Sequence, residues 1–203
     1  MKNSIARELV ERNGVDAQQL LDLLVRTAIA ELSNYYYYTL LKVNLVGVEG
    51  EALKKIVEDA RQEDLNHFQA LVPRIYELGG RLPANPADFS APGENALGAV
   101  LDGTDVRAIL EQLLRSAEYS VRTYTQLCNL TCGKDNRTYS LALAILHEEI
   151  EHQVWYLDFL GHGANEPVGR ERRSGSPFVT KFLQSAVRPV VAIERRRSER
   201  TFS

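Results

Sequence analysis

Residues 59–68 read DARQEDLNHF and residues 145–154 read ILHEEIEHQV, and both stretches carry the same arrangement of acids and histidine. In each stretch a carboxylate stands three residues before a histidine, Asp64 before His67 and Glu149 before His152. Residues three apart share one face of an α-helix, so each pair can direct an oxygen and a nitrogen to one point. Each stretch is therefore a candidate pair of metal ligands.

A lone glutamate precedes each pair by nearly the same distance. Glu31 lies 33 positions before Asp64, and Glu118 lies 31 positions before Glu149. Two such copies, packed face to face, supply four carboxylates and two imidazoles. This is the ligand set of a carboxylate-bridged dinuclear metal centre in a four-helix bundle.

Apolar residues at helical spacing predict four long helices, at about residues 16–46, 51–78, 104–131 and 136–160. Asp16 and Thr104 are the expected N-caps of the first and third helices. The helix midpoints fall near residues 31, 64, 118 and 148. In an antiparallel bundle these midpoints meet at one level, so the four carboxylates are expected to lie in one layer.

The connections between these helices differ in length. Short loops near residues 47–50 and 133–136 favour two antiparallel hairpins. The longer stretch at 79–103 could reach roughly 80 Å when extended, against about 42 Å for a helix of this length. We therefore predict an all-α four-helix bundle with one long crossover between helices 2 and 3.

Composition and charge limit the number of domains and the class of protein. The chain of 203 residues, 44% of them hydrophobic, fits one domain with a tail. Residues 169–203 hold nine Lys or Arg and three acids, so we divide the chain into a bundle domain at 1–168 and a basic C-terminal extension at 169–203. No apolar run approaches the roughly 20 residues of a membrane span, and no apolar signal segment opens the chain. We expect a cytoplasmic protein with no membrane partner; the extension could be an ordered arm or disordered.

The ligand types indicate which metal would bind. Asp64 and Glu149 lie on apolar helix stripes, where an unpaired buried charge is costly, and two divalent ions would balance four carboxylates. Oxygen and imidazole ligands favour iron or manganese over copper(I) or zinc. We predict terminal ligands Glu31 and His67 on one metal, Glu118 and His152 on the other, and bridging Asp64 and Glu149.

Several stretches resemble the ferritin superfamily. The stretches DARQEDLNHFQALVPRIYELGGRLP and ILHEEIEHQVWYLDFL resemble bacterioferritin helices, as does the tyrosine, Tyr38, seven residues after Glu31. With YYYYTLL and GKDNRTY, they are most similar to the Dps-like ferritins of archaea and some bacteria, over about residues 15–162. The resemblance implies a hollow dodecamer with a di-iron ferroxidase site inside each subunit. Such proteins oxidise Fe(II) with hydrogen peroxide or O₂, store the iron and protect against oxidative stress.

Three features differ from the related families. Asp64 stands where bacterioferritins have glutamate, so the bridge is one methylene shorter. Leu65 stands where they have the haem-ligating methionine, so we expect no haem. Dps-like ferritins carry a cysteine pair near the metal site, whereas Cys128 and Cys132 are four residues apart near a helix end. A disulfide there would need a frayed helix, so free thiols are the favoured interpretation.

For residues outside the predicted ligand set, the sequence indicates a functional role less strongly. Tyr38 is a candidate catalytic residue, as a phenol that hydrogen-bonds a ligand carboxylate or donates an electron, with core packing as the alternative. Glu148 and Glu151 flank the ligands, and we expect them to be solvated or to face a pore. His147 is interpreted as an outer or surface residue.

The leading functional prediction is a ferroxidase that stores and detoxifies iron. A rubrerythrin-like peroxidase or a manganese catalase on the same scaffold is the alternative enzyme. A protective shell that binds DNA through the basic extension is a non-enzymatic alternative, and a metal-free helical interaction module is a further one.

Overall fold

The computed structural model describes residues 4–85, 88–89, 97–161 and 176–183. Every regular element in these ranges is an α-helix, which agrees with the predicted all-α fold. The helices are α1 (Ile5–Arg12), α2 (Ala17–Asn44), α3 (Gly47–Glu77), α4 (Val106–Thr131), α5 (Asn136–Phe159) and α6 (Thr180–Leu183). Among them, none has the length and apolar character to cross a membrane.

The helix boundaries follow local capping chemistry. The Asp16 carboxylate accepts the N–H groups of Gln18 and Gln19, so α2 begins where the sequence predicted. The cap of α4 is Asp105 rather than Thr104, since the Asp105 carboxylate accepts the N–H of Ala108. The short α1 was not predicted, because eight residues carry little periodic signal.

The first connection is shorter than expected. The prediction of a loop at 47–50 is wrong, because α3 already begins at Gly47 and only Leu45 and Val46 link it to α2. The far end of the 79–103 connection returns to this point, where the Val46 N–H donates to the Gly103 carbonyl at 3.3 Å. A Cβ atom on Gly103 would lie 1.7 Å from the Asn44 carbonyl oxygen, so only glycine allows this approach. The described ends of the crossover, Gly80 beside Leu21 and Gly103 beside Asn44, therefore lie at opposite ends of α2, as predicted.

The helices pack as two hairpins, α2 with α3 and α4 with α5. Two separate apolar clusters fill the bundle, one at each end. The first surrounds Leu24, Ile75 and Tyr124, and the second surrounds Leu41 and Ile109. A buried polar layer separates them at mid-height of the helices.

A buried ionic brace joins α3 to the start of α5. Arg74 is only 5% exposed; its Nε donates to Thr138 Oγ1 at 2.8 Å and its Nη2 to Asp135 Oδ2 at 2.7 Å. Asp135 is also the N-cap of α5, where it accepts the Thr138 N–H. One carboxylate thus fixes both the beginning of α5 and its position beside α3.

Residues 176–183, called the strap below, pack onto the bundle. Val179 is fully buried, and Phe182 and Leu183 lie against the first apolar cluster. The strap contacts α3 through its α6 turn. This part of the basic extension is therefore an ordered arm; the rest of the extension lies outside the described residues.

Candidate metal centre

Four of the predicted ligand side chains converge between the two apolar clusters. Glu31 of α2, Asp64 and His67 of α3 and Glu149 of α5 each place one ligand atom within 4.8 Å of the others. All four are at most 2% exposed. We call these residues the central cluster; they are four of the six ligands that the sequence predicted.

Both predicted histidines direct Nδ1 toward these carboxylates. His67 Nδ1 lies 3.3 Å from Glu31 Oε2 and 3.2 Å from Glu149 Oε1. His152 Nδ1 lies 3.4 Å from Glu149 Oε2. Glu149 therefore stands between the two imidazoles, as the bridging role requires, and His152 adjoins the central cluster.

The other nitrogen of each histidine meets a second, outer carboxylate. His67 Nε2 lies 2.7 Å from Glu148 Oε2, and His152 Nε2 lies 2.9 Å from Glu63 Oε2. Each outer glutamate belongs to the helix that does not carry its histidine. A histidine ligand commonly has its second nitrogen bound by a carboxylate, which fixes the ring orientation and tautomer. The helices α3 and α5 therefore support one another's histidines.

The outer carboxylates correct the sequence interpretation. Glu148 was expected to be solvated, yet it is fully buried, and Glu63 was not singled out although it is 1% exposed. Glu151, its companion in that expectation, is half-buried. The sequence does contain a signal for these outer acids. Glu63 and Glu148 each stand directly before the acid that lies three residues ahead of a histidine. The repeated unit is a glutamate, an acid, two other residues and a histidine.

Glu118 is not brought to the cluster. Its side chain is exposed on α4, while the inward face of that helix carries Ala117, Ser120 and Tyr124. The distance of a residue from the midpoint of its helix gives its height in the bundle. It does not give the rotation of the helix about its axis. Glu118 is at the predicted level and on the wrong face.

Tyrosines complete the polar layer. The Tyr124 hydroxyl of α4 donates to Glu31 Oε1 at 2.5 Å, a contact that the sequence did not predict. Tyr38 pairs instead with Tyr156, with 3.0 Å between their hydroxyl oxygens. Burial raises the pKa of both phenols well above the ordinary value, so both stay protonated. The phenol that hydrogen-bonds a cluster carboxylate is therefore Tyr124.

The buried acids and histidines of the cluster change one another's pKa values. Burial opposes a charged His67, but Glu31, Glu148 and Glu149 outweigh it and raise the His67 pKa well above its usual range. The pKa of His152 is raised in the same way, chiefly by Glu149 and Glu63. Against the effect of burial, His152 and His67 lower the Glu149 pKa to about 2. Glu149 and the two histidines thus favour one another's charged forms.

The charged form of Asp64, by contrast, is disfavoured by its surroundings. Burial and the neighbouring Glu31 and Glu149 raise its pKa well above the usual range. Its Oδ2 and Glu63 Oε1 are buried without a hydrogen-bond partner among the described residues. Unsatisfied buried oxygens are costly, and a divalent cation in exchange for protons would satisfy them. The donor set fits a hard or borderline metal such as iron or manganese.

A cavity of about 250 Å³ connects this layer with the outside. It lies between α2 and α4 and reaches Glu31 and Tyr124. Thr27 and Ser120, both buried, contribute hydroxyl groups to its wall. Small molecules could approach the Glu31 side of the cluster through this cavity.

The two cysteines are free thiols away from the central cluster, as the spacing suggested. Cys128 is buried within the first apolar cluster, and Cys132 is exposed. Burial raises the Cys128 pKa, which disfavours the reactive thiolate.

Comparison with known proteins identifies the family. Residues 21–164 match the ferritin-like domain of the ferritin family, well over half of the chain. This chain belongs to the ferritin-like family. It is 50% identical over 182 residues to the DNA protection during starvation protein of Pyrococcus furiosus, covering 88% of this chain and 97% of that one. The Dps-like resemblance drawn from the sequence is thereby confirmed.

Solved structures support the fold of this ferritin-like protein. A dodecameric thioferritin, the bacterioferritin-related protein of Bacteroides fragilis, matches with a TM-score of 0.65 at 24% identity. That match covers 76% of this chain and 90% of the other. The DPS protein of Vibrio cholerae O1, a ferritin-like diiron-carboxylate protein, matches with a TM-score of 0.60 at 16% identity over 71% and 90% of the two chains.

Proposed function

We propose that this protein is a ferroxidase that oxidises Fe(II) at the buried cluster and retains the iron as Fe(III). The observation that carries the proposal is the pair of inward-facing Nδ1 atoms around Glu149, each histidine being held from behind by a buried carboxylate. Asp64 Oδ2 and Glu63 Oε1, two buried carboxylate oxygens without a hydrogen-bond partner among the described residues, add support. Membership in the ferritin-like family agrees with iron storage and protection.

The ligand geometry suggests two unequal metal positions. Glu31 and His67 would be the terminal ligands of the first Fe(II), with Asp64 and Glu149 as bridges. His152 would be the terminal ligand of the second Fe(II), which shares the same bridges. Because Glu118 is exposed, the second position has one carboxylate fewer than the sequence suggested. We expect the first position to bind Fe(II) more tightly.

The reaction uses Fe(II) as substrate. Each of two Fe(II) ions loses one electron, and hydrogen peroxide with two protons accepts both electrons to give two water molecules. O₂ is the alternative oxidant. The carboxylates stabilise the higher charge of Fe(III), and the buried layer between two apolar clusters limits release of reactive oxygen species. When only one Fe(II) is present, Tyr38, paired with Tyr156, would supply the second electron and its phenolic proton would be one of the two protons consumed, which leaves a neutral tyrosyl radical.

The cavity beside Glu31 supports an approach route for the small reactants. Storage further requires an internal compartment, which one subunit does not provide. By analogy with the dodecameric Bacteroides fragilis protein, we infer a hollow homododecamer. Light scattering coupled to gel filtration would test this stoichiometry.

The test of function is the stoichiometry of iron oxidation. Under anaerobic conditions, one peroxide should oxidise two Fe(II), and the iron should co-elute with the protein during gel filtration. Asp64→Asn and Glu149→Gln variants should lose rapid oxidation. Turnover of peroxide without iron retention would instead favour the rubrerythrin-like peroxidase, and peroxide disproportionation with manganese would favour the catalase.

A second candidate function is DNA binding through the basic extension. Nine Lys or Arg against three acids at 169–203, and the name of the Pyrococcus furiosus relative, favour it. Replacing Arg195, Arg196 and Arg197 with glutamine should weaken a DNA gel shift, and added salt should weaken it further. A gel shift that neither change affects would eliminate this function.

A further inference from the structure

We propose that the strap positions His67 through Glu148, so that the first metal position depends on a segment outside the four long helices. This inference rests on the proposed function and extends it to the residues that hold a ligand in place. It assigns Glu148 as a positioning residue and the strap backbone as the structure that orients it.

The contacts of Glu148 use both of its carboxylate oxygens. Oε1 accepts two backbone N–H groups of the strap, from Phe178 at 2.8 Å and from Val179 at 3.0 Å. Oε2 lies 2.7 Å from His67 Nε2. A carboxylate held by two backbone donors has one orientation, and that orientation places Oε2 against the imidazole. The strap is therefore one contact away from a proposed metal ligand.

The strap is itself anchored at several points. Ser176 Oγ accepts Asn66 Nδ2 at 2.9 Å, and Asn66 directly precedes His67 on α3. The Phe178 ring packs on His147 of α5 with 5.2 Å between ring centroids. Val179 is fully buried. The two N–H donors are thus fixed relative to both α3 and α5.

Glu63, the outer carboxylate behind His152, has no equivalent backbone donors among the described residues. Glu63 contacts His152 through Oε2, but its Oε1 has no hydrogen-bond partner among the described residues. Glu148 and Glu63 occupy equivalent positions in the two repeats, so they form an internal comparison. If the strap positions His67, its disruption should weaken the first metal position and leave the second nearly unaffected.

The test uses two full-length variants at one position. Phe178→Pro removes the backbone N–H that reaches Glu148 Oε1, because proline has no N–H. Phe178→Ala removes the same ring and keeps the N–H. Circular dichroism and gel filtration of both variants establish that the bundle is intact before either is compared. Glu148→Gln changes the positioning residue itself.

The first measurement needs no metal. In protein labelled with ¹⁵N-histidine, NMR should show a slowly exchanging His67 Nε2–H in the unaltered protein. This signal should exchange at least tenfold faster in Phe178→Pro than in Phe178→Ala. Equal exchange in the two variants would overturn the inference, whatever the protein does with iron.

The second measurement is a calorimetric titration with Co(II) under conditions that exclude oxidation. Loss of an outer partner of a histidine ligand commonly weakens metal binding about 10- to 100-fold. Phe178→Pro and Glu148→Gln should weaken the tighter site by about tenfold or more, and Phe178→Ala should bind more tightly than Phe178→Pro. Unchanged binding in all three variants would overturn the inference. Absence of Co(II) and Fe(II) binding by the unaltered protein would instead overturn the proposed function, and the NMR result would still decide the structural coupling.

Discussion

Glu63 of α3 contacts His152 Nε2 of α5 at 2.9 Å, so a carboxylate of one helix orients a histidine of the other. The equivalent contact of Glu148 with His67 runs in the opposite direction between the same two helices. Four residues thereby link α3 and α5 reciprocally at the level of the central cluster. The acid that precedes each proposed ligand acid therefore contacts the histidine of the opposite helix.

Glu63→Ala should weaken metal binding at the second position. Without a carboxylate behind it, His152 loses a fixed orientation, and we expect about 10- to 100-fold weaker binding there. Calorimetric titration with Co(II) resolves the two positions. Glu63→Gln retains the shape of the side chain and a hydrogen-bond acceptor and should be affected less; equal losses in both variants would show that the negative charge of Glu63, rather than its hydrogen bond, supports His152.

Glu118→Gln should bind Fe(II) and oxidise it like the unaltered protein. The side chain is exposed on α4 and lies away from the central cluster, so its charge contributes little there. Stopped-flow absorbance during iron oxidation measures the effect, with Glu31→Gln as the variant expected to fail. A loss of oxidation comparable with that of Glu31→Gln would mean that α4 turns its other face inward when metal binds.

Arg74→Ala should destabilise the bundle by about 3 kcal/mol. Removing one partner of a buried ion pair leaves the Asp135 carboxylate with less compensation for its burial. Arg137→Ala is the control, because the ion pair of Arg137 with Glu77 is largely exposed and should contribute less than about 1 kcal/mol. Urea unfolding monitored by circular dichroism compares them; equal effects would contradict the assigned role of Arg74.

The contribution of Asp135 should disappear in acid. Burial raises its pKa, but hydrogen bonds from Thr138 and Arg74 outweigh burial and lower it below the ordinary value of 3.8. A carboxyl group with a lowered pKa in the folded state stabilises that state fully above its unfolded pKa. The stabilisation is lost as the pH falls through the folded-state value. The difference in unfolding free energy between the unaltered protein and Asp135→Asn should therefore be constant near neutrality and shrink below about pH 4. A difference that does not vary with pH would contradict this account.

The fold could be predicted from the sequence to within a few residues. Apolar spacing and the Asp16 cap are local signals that the structure confirms, whereas the cap of α4 is Asp105, one residue after the predicted Thr104. The level of the ligands was also predictable, because helices of similar length that pack side by side align their midpoints. The rotation of α4 was not, since α4 also buries small polar residues such as Ser116 and Ser120, which carry no distinctive hydropathy signal.

The remaining features arise from contacts between distant parts of the chain. Tyr124 reaches Glu31 across 93 positions, and the strap reaches Glu148 across about 30. No periodicity within either segment encodes such a pairing. The burial of Glu148 could not be predicted from its neighbours in the sequence, because a glutamate is normally solvated. Its contacts with the strap and with His67 make the burial favourable.

The central claim is that the buried cluster holds two iron ions. Crystals of the full-length protein soaked anaerobically in Fe(II) and measured at the iron absorption edge test it most directly. We expect two anomalous peaks between α2, α3 and α5, the stronger beside Glu31 and His67 and the weaker beside His152, with Asp64 and Glu149 between them. Absence of both peaks, or an iron ion bound by Glu118 instead, would contradict it.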